Sequence, residues 1–217
     1  MMKVSFRFQH ARSILPAATL AVSLLAPAVS HARLITFDDL TCDAVATQVP
    51  TSYSGLTWDN FYCMNTSGQV NGYRNGTISP NNVAFNWFSN PANFSISSPS
   101  SFTLNSAYLT AAWNNNLNVQ VQAYRSGSLV STTNHVLQAT TPTLVNFNLV
   151  NVDQVIFTSF GGVNAGFSSF GTHFAIDNLV INESIGGVPV PTLSQWTLLL
   201  LSGLLGALAL GMRRRQN

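Results

Sequence analysis

The sequence predicts an all-β domain, an antiparallel β-sandwich, set between two apolar end segments. Three observations predict it. First, short runs alternate apolar and polar residues with period two. In "NLNVQVQAY", Leu117, Val119, Val121 and Ala123 face one way while Asn118, Gln120 and Gln122 face the other; in "TLVNFNL", Val145, Phe147 and Leu149 oppose Asn146 and Asn148. Alternation of this kind marks strands with one buried and one wet face. Second, turn residues punctuate the runs. Asn75-Gly76, Ser126-Gly127 and Gly161-Gly162 suit positive φ, and Pro99 and Pro142 fall before runs, where they remove no central ladder bond. Third, no amphipathic helix of ordinary length lies between the end segments.

Taken in order, the chain opens on a secretory signal. Lys3, Arg7 and Arg12 form a positive leader, Ile14 to Leu25 an apolar stretch, and Ser30-His31-Ala32 a small-residue site, so residues 1–32 are expected to form a signal helix removed after Ala32. Strands follow near 33–38, 55–63, 83–87, 92–97, 101–112, 116–125, 128–138, 143–150, 153–159 and 173–182. So many short antiparallel strands in one domain, residues 33–187, predict a sandwich of the jelly-roll kind. Residues 188–217 form the tail. Leu193 to Met212 carry no charge and as a helix reach about 30 Å, enough to cross a bilayer. Arg213, Arg214 and Arg215 would hold its end inside, leaving the domain outside.

Charge is segregated along the chain. Between the two basic ends lie only Arg33, Arg74 and Arg125, against the acids Asp38, Asp39, Asp43, Asp59, Asp153, Asp177 and Glu183. A nucleic-acid partner needs a basic patch, and this region has none. The basic residues concern the membrane. Export exposes Cys42 and Cys63 to an oxidising compartment, so a disulfide between them is expected.

Catalytic constellations are missing. His135 and His173 are the only histidines of the processed domain, and no H-E-x-x-H, C-x-x-C or P-loop occurs. "GFSSFG" at 166–171 lacks the spacing of a nucleophile elbow and reads as a loop between two strands. Tyr53, Trp58, Tyr73, Trp87, Trp113 and Tyr124 would stack on sugar rings where exposed, and otherwise fill the core. If the first and last strands are neighbours, Asp38, Asp39 and Asp177 converge as candidates for a structural Ca²⁺, a cation that takes six to eight oxygens. The alternative is that these carboxylates accept loop N–H groups. No other cofactor is expected.

The run of "ITFDDL", "GLTWDNF", "SFTLNSAYLTAAW", "NLNVQVQAY" and "FAIDNLVIN" resembles exported jelly-roll domains of bacterial surface proteins with PEP-CTERM-type tails, and carbohydrate-binding modules in general. "VPTLSQW" resembles the signature of the IPTL-CTERM sorting signal: Pro191, Thr192, Leu193 and Trp196 match, and Val190 replaces the usual isoleucine. That resemblance implies an inner-membrane precursor, processing by an exosortase-type protease, and delivery to the cell surface or extracellular matrix. The expected function is that of a non-catalytic adhesive or matrix protein, with polysaccharide as a possible partner. A carbohydrate-binding module of defined specificity is the alternative, and a glycan-active hydrolase the third reading.

Overall fold

Asparagine is the residue that lets this chain turn. In the computed structural model, which describes residues 31–97, 100–184 and 199–203, eleven non-glycine residues have positive φ, and six are Asn60, Asn81, Asn116, Asn148, Asn151 and Asn178. Asparagine tolerates the left-handed region because its short amide bonds locally to the backbone. Ser126-Gly127 and Gly161-Gly162 also turn with positive φ, as expected. Asn75-Gly76 does not: Gly76 has φ −84° and ends a one-turn helix instead.

Among the described residues of the domain lie fourteen strands, that helix and two single 3-10 turns. The first five strands are β1 (His31–Ile35), β2 (Thr47–Gln48), β3 (Thr57–Asp59), β4 (Phe61–Asn65) and β5 (Asn82–Asn86), with α1 (Gly72–Asn75) before β5. Then come β6 (Ala92–Ser95), β7 (Ser101–Ala111), β8 (Asn114–Asn115), β9 (Leu117–Arg125) and β10 (Ser128–Leu137). The last are β11 (Thr143–Val152), β12 (Gln154–Phe160), β13 (Val163–Asn164) and β14 (Phe174–Ser184). Each strand read from the sequence is present. The stretch 55–63 divides in two because Asn60 turns with φ 55°.

A seven-stranded sheet runs β11-β7-β14-β5-β4-β2, with β1 also on β14, and a five-stranded sheet runs β10-β9-β12-β6-β3. All pairings are antiparallel, and first and last strands pair as expected, Ile35 facing Leu179. Alternate residues of both sheets meet in one core that includes Trp58, Phe61, Phe94, Phe102, Phe157 and Phe174. Their rings pack at centroid separations such as 5.2 Å for Trp58–Phe61 and 5.6 Å for Phe157–Phe174. Rings of this size dominate core energetics, each deletion costing about 3–5 kcal/mol.

Cys42 and Cys63 form the expected disulfide, with Cα atoms 5.7 Å apart and a sequence separation of 21. It ties the loop after β1 to β4. A closed loop of that length removes unfolded-state entropy equivalent to about 3 kcal/mol.

The expected signal helix over 1–32 lies outside the described residues apart from its last two, which begin β1, and so do the motif at 190–196 and Arg213 to Arg215. Of the expected helix over 193–212, residues 199–203 are described and are helical. Among the described residues no helix is long and apolar enough to cross a membrane.

Candidate functional site

The two faces of β4 and β5 do different work. Phe61, Cys63 and Ala84 enter the sandwich core, whereas Tyr62, Met64, Val83 and Phe85 belong with Ala175 of β14 to a second apolar cluster on the opposite face of the sheet. That face is covered in part by α1. Asn71 caps the helix by accepting the Tyr73 N–H at 3.0 Å. Gly72 approaches the end of β7 so closely that a Cβ would stand 1.9 Å from the Ala111 carbonyl oxygen. Only glycine permits this approach. It brings the Tyr73 ring to 5.0 Å from Phe85 and 5.4 Å from Trp113.

Tyr73, Trp113 and His173 form one polar knot inside the cluster. His173 Nδ1 lies 2.6 Å from the Tyr73 hydroxyl and 3.4 Å from Trp113 Nε1. An indole N–H only donates, so Nδ1 accepts, the Tyr73 hydroxyl donates, and the imidazole is neutral with its proton on Nε2. Burial acts in the same sense, pushing the His173 pKa down and the Tyr73 pKa far above its ordinary value. The knot locks Trp113 in place.

Beside it lies a patch that is not locked away. Tyr62 and Trp87 stack with centroids 4.6 Å apart and planes 21° from parallel, and Phe88 follows at 4.7 Å from Trp87, tilted by 59°. Phe88 is 72% exposed. Its φ is 53° and that of Ser89 is 59°, so two successive side-chain-bearing residues occupy the left-handed region. That conformation costs roughly 1–2 kcal/mol per residue. The turn is held by Asn60 Nδ2, which donates to the carbonyls of Trp87 at 3.1 Å, Asn90 at 3.3 Å and Pro91 at 3.1 Å. Ser89 Oγ accepts the Thr172 N–H at 3.0 Å. From across this contact the 161–173 loop brings Phe170, 86% exposed. The strained, pinned turn lifts a phenyl ring into water, and strain of this kind collects at ligand sites.

The sequence-named aromatics divide between core and site. Trp58 is in the inner core and donates its indole N–H to the Tyr53 carbonyl at 2.8 Å. Tyr53 is half-buried with its hydroxyl donating to Asp39, and Tyr73 is buried in the knot. Tyr124 is half-buried on β9. Trp87 and Trp113 are half-buried at the site. Tyr62 and Phe88 were missed. The signal for Tyr62 was present: "FYCM" is apolar on both parities, which marks a strand covered on both faces.

The three aspartates have separate partners. Asp177 is fully buried and accepts the Ile78 N–H at 2.7 Å, the Ser79 N–H at 3.0 Å, the Ser79 hydroxyl at 3.1 Å and the Asn178 N–H at 2.6 Å. Burial raises its pKa against the opposing pull of these donors. Asp38 accepts the Asn82 N–H at 3.1 Å, and Asp39 serves Tyr53. Among the described residues no group of three or more His, Cys, Asp or Glu side chains is placed to hold a metal ion. Asp38 and Asp177 thus accept backbone N–H groups, and Asp39 accepts a tyrosine hydroxyl.

Comparison with known proteins locates the tail. Residues 188–215 match the family model described as the IPTL-CTERM motif. The motif implies an exported, membrane-associated precursor. No curated protein matches the chain. Among solved structures, the chain is similar to a DUF4465 family protein from Bacteroides ovatus, with 10% identity, 70% of this chain and 99% of that chain covered, and a TM-score of 0.49. It is also similar to TmCBM61, solved in complex with beta-1,4-galactotriose, with 8% identity, 58% and 85% covered, and a TM-score of 0.32.

Proposed function

We propose that the chain is an exported surface protein whose sandwich grips polysaccharide without catalysis, through the patch formed by Tyr62, Trp87 and Phe88. The carrying observation is the exposed Phe88 held in a strained turn beside the Tyr62–Trp87 stack. Sugar rings present flat faces of C–H groups that pack on aromatic rings, and the amide of the exposed neighbour Asn90 suits a hydroxyl partner. The sandwich is a jelly roll in this reading. Four nested antiparallel pairs support it, β1 with β14, β6 with β12, β7 with β11 and β9 with β10, the segment from β2 to β5 being an insert. The non-catalytic reading draws on the two histidines: His173 Nδ1 is engaged by Tyr73 and Trp113, and His135 Nε2 lies 3.1 Å from Thr133 Oγ1.

In the same reading Leu193 to Met212 anchor the precursor, and an exosortase-type protease recognises the segment from Val190 to Trp196. Pro191→Ala with Thr192→Ala then leaves an inserted but unprocessed, larger form, whereas neutral replacements of Arg213 to Arg215 disturb orientation. Equal mass and surface distribution of the motif variant and the parent would leave a plain anchor. The binding claim is tested by a glycan array with the full chain in mild detergent, comparing parent and Trp87→Ala. Binding to a subset of polysaccharides that Trp87→Ala loses at least tenfold is expected. Binding that survives the substitution, or none at all, would remove the patch as the site.

A further inference from the structure

A strand at the end of a sheet presents a row of unpaired N–H and C=O groups, and folded proteins protect such rows by shortness, bulges, prolines or charges. Here β2 and β3, which end their sheets, have only two and three residues. The third end, β11, has ten residues, but its register with β7 breaks between Asn146 and Leu149 and again between Leu149 and Val152, with Asn148 and Asn151 in the left-handed region. β1, off the strand path on β14, is also unpaired on one side among the described residues and has five residues. The end at β10 is different. From Ser131 to Leu137, β10 keeps an unbroken register with β9, and among the described residues no strand pairs with its other side. Seven residues at strand rise make an edge of about 23 Å. Thr132, Asn134 and Val136 are exposed along it. No Asp, Glu, Lys or Arg occurs between Arg125 and Asp153, so no charge guards it.

We propose that this edge joins β10 of a second copy in antiparallel pairing, merging two five-stranded sheets into one of ten strands. The backbone row specifies a strand as its occupant. An uncharged edge is the charge complement of another uncharged edge, whereas a charged strand would leave its charges unpaired there. An antiparallel strand is also its own complement about a two-fold axis. With the axis at Asn134, the Asn134 amides of the two copies face each other and each Val136 faces the partner's Thr132. Every copy carries the same motif over 188–215, which brings the copies to one membrane and raises their effective concentration.

Asn134→Cys tests this in the full chain displayed on producing cells. Mild oxidation is expected to give a reducible species of twice the mass, at least tenfold more abundant than for Asn146→Cys on the bulged edge. Absence of that species, or equal yields from the two positions, would overturn the proposal. In mild detergent, light scattering should give a dimer for the parent and a monomer for Asn134→Lys, with the Cys42–Cys63 bond intact in both. A monomeric parent, or a variant as dimeric as the parent, would also overturn it.

Discussion

Trp58 and Trp87 stand among aromatic neighbours in two different clusters, one inside the sandwich and one outside it. Trp58 on β3 is enclosed by Phe37, Phe61 and Phe94 at centroid distances of 5.6, 5.2 and 5.0 Å. Trp87, one residue past β5, has Tyr62 on one side and Phe88 and Phe85 nearby, and is half-buried. The inner cluster holds the two sheets together. The outer one stands on the outward face of β4 and β5, half-covered, with a strained turn that adds an exposed ring. One strand, β4, thus supplies Phe61 to the core on one parity and Tyr62 to the outer cluster on the other.

Substitution separates the two clusters most sharply. Trp58→Ala should cost about 3–5 kcal/mol of stability, read from denaturant midpoints. Trp87→Ala should cost about 1–2 kcal/mol, in line with its partial burial, while lowering polysaccharide affinity at least tenfold. Similar losses of stability from both would erase the distinction. Next in size is Phe88→Asn. Asparagine suits the left-handed turn, so stability should stay level or rise by about 1 kcal/mol while affinity falls. A clear loss of stability would mean that Phe88 packs for the fold rather than for a ligand.

The pH response is smaller and has a defined sign. His173 is neutral in the folded chain, with its pKa lowered by burial, whereas an unfolded histidine titrates near 6.5. The unfolded state therefore takes up the proton first, and the stability His173 contributes is present above about pH 6.5 and lost as pH falls toward the folded value. His135, also lowered by burial, acts in the same direction. Asp177, raised by burial, acts in the opposite one at lower pH. Comparison with His173→Asn isolates the term, because the Asn carbonyl can accept in place of Nδ1. The variant should lose less stability than the parent between pH 7 and 5; equal slopes would place the proton elsewhere. The smallest effect belongs to chelation. With Asp177 surrounded by four N–H and O–H donors, EDTA should leave the melting curve unchanged, and a lowered midpoint would restore a native-state cation.

The strands were legible because the domain has few charges and strict alternation: Leu117 to Ala123 and Val145 to Leu149 could sit only one way on a sheet. The disulfide was legible from export and two cysteines. The site was half legible. Trp87 and Trp113 were named, but exposure is a property of the packed fold, and nothing in "NWFSN" announces that Phe88 will take φ 53°. The partners of Asp177 were equally hidden, since Ile78 and Ser79 lie about a hundred positions earlier in the chain.

Footprinting of aromatic rings tests the central claim most directly. The full chain is exposed to hydroxyl radicals with and without the best polysaccharide from the array, and oxidation is read residue by residue. Bound polysaccharide should protect Tyr62, Trp87 and Phe88, leaving Tyr124 on β9 unchanged and Trp58 unreactive throughout. Saturating polysaccharide that leaves those three rings as reactive as before, or that protects Tyr124 instead, would contradict the account.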